Sequence, residues 1–127
     1  MEQPFQKKRV LLVDDEASLR EIYSLELSRQ GFEVLLATNG EEGLVAIRKE
    51  RPDAILLDLQ MPVKDGFDVL RELSQDRQLK RIPVVILSNA DEETSFKKVG
   101  QYETHFYLVK ALTTPSKVAK LLREVVR

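Results

Sequence analysis

Cysteine is missing from this 127-residue chain, and histidine occurs once. The first absence excludes disulfides, thiolate catalysis and Cys-based zinc; the second excludes a multi-histidine metal site. No apolar run approaches the length that a bilayer span needs, so the sequence holds no membrane-spanning helix. Met1 to Arg9 carries charge but leads into only a short apolar run, which is not a secretory signal. An excess of either charge is missing too. Twenty Lys+Arg stand against twenty-one Asp+Glu, a formal charge of −1, so electrostatics gives no reason to expect nucleic acid as a direct partner. What is present is 43% hydrophobic and 32% charged residues, too much of both for a collagenous or low-complexity chain. The length suits one domain with a real core. The expectation is one soluble cytoplasmic domain with no membrane partner, in which any metal is held mainly by oxygen ligands.

Five short apolar runs stand out: Val10 to Val13, Val34 to Ala37, Ala54 to Leu57, Val84 to Leu87 and Phe106 to Val109. They are continuous and not alternating, as strands buried on both faces of a parallel sheet are. Helical spacing fills the gaps, marked by Leu19, Ile22 and Tyr23, by Leu44 and Ile47, by Phe67, Leu70 and Leu73, and by Val118, Leu121, Leu122 and Val125. Thr38 with Glu41 makes a capping-box pattern, and Thr114-Pro115 places a cap residue before a proline at the first helical position. Asp91 to Gly100 predicts a loosely held helix with Phe96 and Val99 as its apolar anchors. Five strand–helix alternations give an α/β domain with a parallel sheet.

In an open parallel sheet, sites form just beyond the carboxyl ends of the strands. Strand one ends in Asp14-Asp15-Glu16, strand three in Asp58, strand four in Ser88 and strand five in Lys110. Each has an ordinary structural reading: a helix cap for the acidic pair or for Ser88, a solvated strand end for Lys110. Asp58 resists one, because it follows Ile55-Leu56-Leu57 directly and a carboxylate there is partly buried and needs a partner. Converging on one edge, Asp14, Asp15 and Asp58 repel one another unless a cation intervenes. Mg²⁺ suits such a site because it takes carboxylate oxygens, keeps waters and favours phosphate as a further ligand. With Lys110 and the Ser88 hydroxyl alongside, the cluster is equipped to stabilise a phosphoryl group in flight, and Asp58 is the natural acceptor.

These residues resemble the receiver domain of two-component response regulators. The stretches that carry the likeness are Val10 to Glu16, Arg51 to Pro62, Lys64-Asp65-Gly66, Ile86-Leu87-Ser88 and Tyr107 to Lys110. The resemblance covers the chain from residue 8 onward, so residues 1–7 are expected to be a loose tail and residues 8–127 the receiver domain. It implies a flavodoxin-like (βα)5 three-layer sandwich with parallel sheet order 2-1-3-4-5. It also implies that Asp58 accepts a phosphoryl group from a sensor histidine kinase or histidine phosphotransfer protein. Asp14, Asp15, Asp58 and the backbone carbonyl of Gln60 would hold Mg²⁺, or Mn²⁺ in its place. Ser88 and Lys110 would engage the phosphoryl oxygens, with Ser88 and Tyr107 as switch residues. Gln60 and Ala90 would tune self-dephosphorylation, a weak activity in a domain that is not a conventional enzyme. His105 is read as a strand-flanking surface residue and not as a phosphodonor.

Three features depart from the family's pattern. Ala111 follows Lys110 where the family usually has proline, which implies a trans peptide and a different placement of Lys110. Asn89 follows Ser88 where a small residue is usual, and Glu103-Thr104-His105 replaces the usual Gly-Ala-Asp turn. They motivate the alternative of a receiver-like interaction module that no longer switches by phosphorylation. A flavin-binding protein is disfavoured because Asp14-Asp15-Glu16 would repel a flavin phosphate. An Asp-nucleophile phosphohydrolase is disfavoured because that class typically carries Asp-x-Asp after strand one. The length is expected to accommodate one receiver and no effector, with output through a protein–protein contact. The chain then reads as a stand-alone regulator, a phosphorelay intermediate or a receiver cut from something longer.

Overall fold

The structure is a computed structural model that describes residues 6–89 and 93–126. Its elements alternate strictly. They run β1 (Arg9–Val13), α1 (Ala17–Arg29), β2 (Glu33–Ala37), α2 (Gly40–Glu50), β3 (Ala54–Leu57), α3 (Gly66–Ser74), β4 (Val84–Ser88), α4 (Glu93–Val99), β5 (Phe106–Val109) and α5 (Pro115–Val125). Short 3₁₀ turns at Leu79–Arg81 and Lys110–Leu112 complete it. All five strands are parallel in the order 2-1-3-4-5, as expected. Every residue of β3 and β4 is buried.

Pleating divides the strand residues between two apolar layers. Leu11, Val13, Ile55, Leu57 and Ile86 face α2, α3 and Val99 of α4. Val10, Leu12, Leu56, Val85 and Leu87 face Tyr23 and Leu27 of α1 and Val118, Ala119 and Leu122 of α5. The central strands β1, β3 and β4 are therefore covered on both sides, which explains their continuous apolar runs; at the edge, β2 is not, and its Leu36 is 50% exposed. Register follows from this parity: Leu12 stands opposite Leu36 on one side and Leu56 on the other.

Three local expectations are corrected. The cap of α2 is Asn39, one residue later than the Thr38–Glu41 pattern; Glu42 N donates to Asn39 Oδ1 at 2.9 Å. Thr38 instead donates its N–H and its hydroxyl to the Glu42 carboxylate at 2.8 and 2.7 Å. Ile22 is 57% exposed, so α1 is anchored by Tyr23 and Leu27. Phe96 is 61% exposed and meets Tyr107 edge-on, with centroids 5.5 Å apart, so Val99 alone of the two anchors is buried. The Thr114 cap stands, with Lys117 N donating to its hydroxyl at 3.2 Å and Pro115 beginning the helix. Of the tail expected at 1–7, residues 1–5 lie outside the described residues, as do Ala90 and the start of the Asp91–Gly100 segment. Lys8 is already tied in, because its carbonyl accepts from Glu33 N at 2.9 Å.

Candidate functional site at the carboxyl edge of the sheet

The first turn after β1 sets the geometry of two carboxylates. Glu16 N donates to Asp14 Oδ1 at 2.9 Å, which aims the Asp14 side chain inward, and Arg20 Nη1 holds the Asp14 carbonyl at 2.7 Å. Asp14 is fully buried, whereas Asp15 is exposed. Neither caps α1 in the ordinary way; the N-cap position is Glu16, and its side chain makes no cap hydrogen bond.

Asp58 follows β3 at 3% exposure, its own N–H donating to the Val13 carbonyl at 2.9 Å. That bond continues the sheet ladder one step and places Asp58 beside the end of β1. Gln60 N reaches Asp58 Oδ1 at 3.4 Å. The loop then folds back so tightly that a side chain at position 66 would collide with the Asp58 carbonyl, and glycine occupies it. Asp65 starts α3 with a full capping box: Asp68 N donates to Asp65 Oδ1 at 2.9 Å and Asp65 N to Asp68 Oδ2 at 3.2 Å. The loop is strapped to α2 as well. Gly40 N donates to the Lys64 carbonyl at 2.9 Å, and Lys64 Nζ lies 2.7 Å from Glu72 and 3.3 Å from Glu41. Val63, within this strapped loop, is held at φ 69°, a left-handed conformation unfavourable for a β-branched residue.

Ser88 ends β4 fully buried and in register with Val109, the residue before Lys110. It lies well before the first residue of α4, so the helix-cap reading fails. Lys110 is not a solvated strand end either. Its side chain is 7% exposed, with Nζ 2.8 Å from Asp14 Oδ2, 3.5 Å from Asp58 Oδ2 and 3.5 Å from Glu16 Oε1. No cis peptide occurs among the described residues, so Ala111 follows a trans bond, and Lys110 reaches the acidic cluster all the same. Tyr107 is half-buried in β5 opposite Ile86. His105 is exposed, as expected, with its backbone N–H tied to the Val84 carbonyl at 2.8 Å.

The charges do not balance. Asp14, Asp15 and Asp58 each offer an oxygen within 4.8 Å of the others, against one buried ammonium. Burial, and then repulsion from Asp14, push the Asp58 carboxyl up to about 7, although Lys110 and the Gln60 N–H pull the other way. For Lys110, burial lowers the pKa, but its contact with Asp14 and attraction to Asp58, Asp14 and Glu16 outweigh this and leave it above the ordinary lysine value. An all-oxygen donor set with uncompensated negative charge fits a hard divalent cation such as Mg²⁺. Sequence reasoning placed each of these residues at a strand end but gave Glu16 and Arg20 no part in the site. Glu16 was visible in the acidic run; for Arg20 the only signal was helical spacing from the site.

The sequence matches the family described as response regulator receiver domain over residues 10–123. Among relatives, the probable transcriptional regulator ycf27 of Porphyra purpurea is 36% identical over 96% of this chain and 49% of its own length. The chain thus spans about half the length of that relative. Protein PilH of Pseudomonas aeruginosa is 42% identical over 68% of this chain and 71% of its own. Among solved structures, the chemotaxis response regulator CheY4 of Vibrio cholerae superposes with a TM-score of 0.85 at 31% identity, covering 94% of this chain and 99% of that one.

Proposed function

The chain belongs to the response regulator receiver domain family of two-component signalling, and from that premise we propose that Asp58 is its phosphoacceptor, with residues 8–127 forming the receiver. Such domains are phosphorylated by sensor histidine kinases and bind Mg²⁺ in their acidic site. The observation that carries the assignment is the position of Lys110 Nζ, 2.8 Å from Asp14 and 3.5 Å from Asp58 at the edge where three carboxylates meet.

In the reaction, an Asp58 oxygen attacks the phosphorus of a phosphohistidine on a kinase or phosphotransfer protein. The P–O bond to Asp58 forms as the P–N bond breaks. The imidazole nitrogen keeps the electron pair and takes up a proton, and Asp58 becomes an acyl phosphate. Asp14, Asp15, Asp58 and the carbonyl of Gln60 would hold Mg²⁺, or Mn²⁺, whose charge supplies electrostatic stabilisation to the phosphoryl oxygens. Lys110 donates to one of those oxygens and Ser88 to another. Ser88 and Tyr107 relay the change to the surface around β5, where the exposed Phe96 ring already meets Tyr107. Gln60 and Ala90 set how readily water reaches the acyl phosphate. The signal leaves through contact with another protein, and the site of action is the cytoplasm.

Intact-mass measurement after incubation with acetyl phosphate and Mg²⁺, or with a phosphorylated histidine kinase, tests the assignment. One added phosphoryl group is expected, lost on chelation and in Asp58→Ala. No uptake by the wild type from either donor, or equal uptake by Asp58→Ala, overturns it in favour of an interaction module that does not switch.

A further inference from the structure

Glu16 sits where a helix cap belongs and does not act as one. Its side chain is 46% exposed, and a single oxygen, Oε1, meets two groups far away in sequence. Asn89 Nδ2, from the turn after β4, donates to it at 3.3 Å, and Lys110 Nζ, from the end of β5, lies 3.5 Å from it. The backbone beneath cannot drift, because Glu16 N is bonded to Asp14 Oδ1 at 2.9 Å, inside the site. One carboxylate therefore joins the ends of β1, β4 and β5 beside the acidic cluster.

We propose that Glu16 is a latch on the phosphoacceptor site: it holds Lys110 and Asn89 together in the resting state and is displaced when Lys110 turns to a phosphoryl oxygen. The displacement step rests on Asp58 being the phosphoacceptor. Lys110 has three N–H donors and three carboxylate neighbours, Asp14 at 2.8 Å and Asp58 and Glu16 at 3.5 Å each. A phosphoryl group on Asp58 adds oxygens that need one of those donors. Asp14 is the nearest neighbour and is fully buried, whereas Glu16 is at the rim and can turn to water. Glu16 is therefore the partner that yields. Its negative charge also repels the incoming phosphoryl oxygens, so the latch raises the free energy of the occupied site and favours the resting one. Glu16 is in this sense a positioning residue that acts through Lys110 and Asn89.

Two measurements on the intact chain test this. In the ligand-free protein, side-chain NMR resonances of the Asn89 amide and the Lys110 ammonium are expected to move in Glu16→Ala. If both stay in place, the latch is refuted whatever else is found. Next, beryllofluoride, a phosphoryl mimic, is titrated in saturating Mg²⁺. Half-saturation is expected about threefold lower in Glu16→Ala, the scale of a partly exposed ion pair, and intermediate in Glu16→Gln, which keeps the oxygen but not the charge. Asn89→Ala is expected to tighten binding in the wild type and to change little in Glu16→Ala, a non-additivity that simple charge removal would not give. Unchanged or weaker binding in Glu16→Ala, or additive effects, overturns the proposal. Failure of every variant and of the wild type to bind beryllofluoride overturns the Asp58 assignment and the displacement step with it. The contact itself then stands or falls on the resonances alone.

Discussion

Replacing Asp58 by Asn should stabilise the metal-free protein, and do so only where the wild-type carboxylate is obliged to ionise. The Asp58 carboxyl is raised from 3.8 to about 7, first by burial and then by Asp14. That rise is about 3 units at 1.36 kcal/mol each, a ceiling of about 4 kcal/mol. Asparagine leaves Lys110 with one acceptor fewer, and local relaxation reduces the penalty further, so about 2 kcal/mol is expected. The sign follows from linkage. Below the unfolded pKa the carboxyl is protonated in both states and the substitution changes little. As pH rises toward 7, the unfolded chain ionises while the folded one resists, and the wild type loses stability progressively. Above 7 the loss is complete. Urea unfolding followed by far-ultraviolet circular dichroism at pH 5, 6.5 and 8, without divalent metal, reads the difference. The advantage of Asp58→Asn should widen by about 1–2 kcal/mol across that range. Equal stability of the two proteins at pH 8, or an advantage that does not change with pH, would refute the charge-deficit account of the site.

Millimolar Mg²⁺ should raise the midpoint of wild-type thermal unfolding, with about 2.7 kcal/mol gained at a hundredfold excess over Kd, and chelation should reverse it; a midpoint insensitive to Mg²⁺ counts against the cation site. Val63→Gly should stabilise by about 0.5–1 kcal/mol, because glycine relieves the left-handed strain at φ 69° while adding some unfolded-chain entropy; a loss of stability in urea would show that the loop is unstrained. Leu56→Ala, at the centre of the sheet with no exposure, should cost about 2–5 kcal/mol by the same assay, and a loss below 1 would mean the core collapses into the gap.

The central strands were legible in the sequence because both their faces are covered, so burial leaves an unbroken apolar run; β2 shows the same run at the sheet edge with Leu36 exposed. The site was legible for a related reason. A polar residue that ends such a run, as Asp58 ends Ile55-Leu56-Leu57, has nowhere to go but the edge where the strands stop. What escaped was set by contacts between distant segments. Asn39 and not Thr38 caps α2, because Glu42 recruits the Thr38 hydroxyl for itself. Phe96 was expected to anchor α4 from spacing alone, but the inward face of this short helix carries Ser95 and Val99, and of its two apolar anchors only Val99 is buried. The straps at Lys64 and the latch at Glu16 depend on which side chains meet across loops, and periodicity contains no such term.

The parity that assigns alternate strand residues to opposite layers carries through to the residue that ends each strand. Asp58 continues the alternation begun at Ala54, and its N–H is the next rung of the ladder to β1. A single residue inserted or deleted inside β3 would therefore exchange the two apolar layers and turn the acceptor away from Asp14 and Lys110 in one step. The same change at Arg77, exposed in the turn after α3, leaves the parity of every strand unchanged. Between Ala54 and Asp58 the chain must keep count, and indels there should abolish phosphoryl uptake even where the sheet still forms.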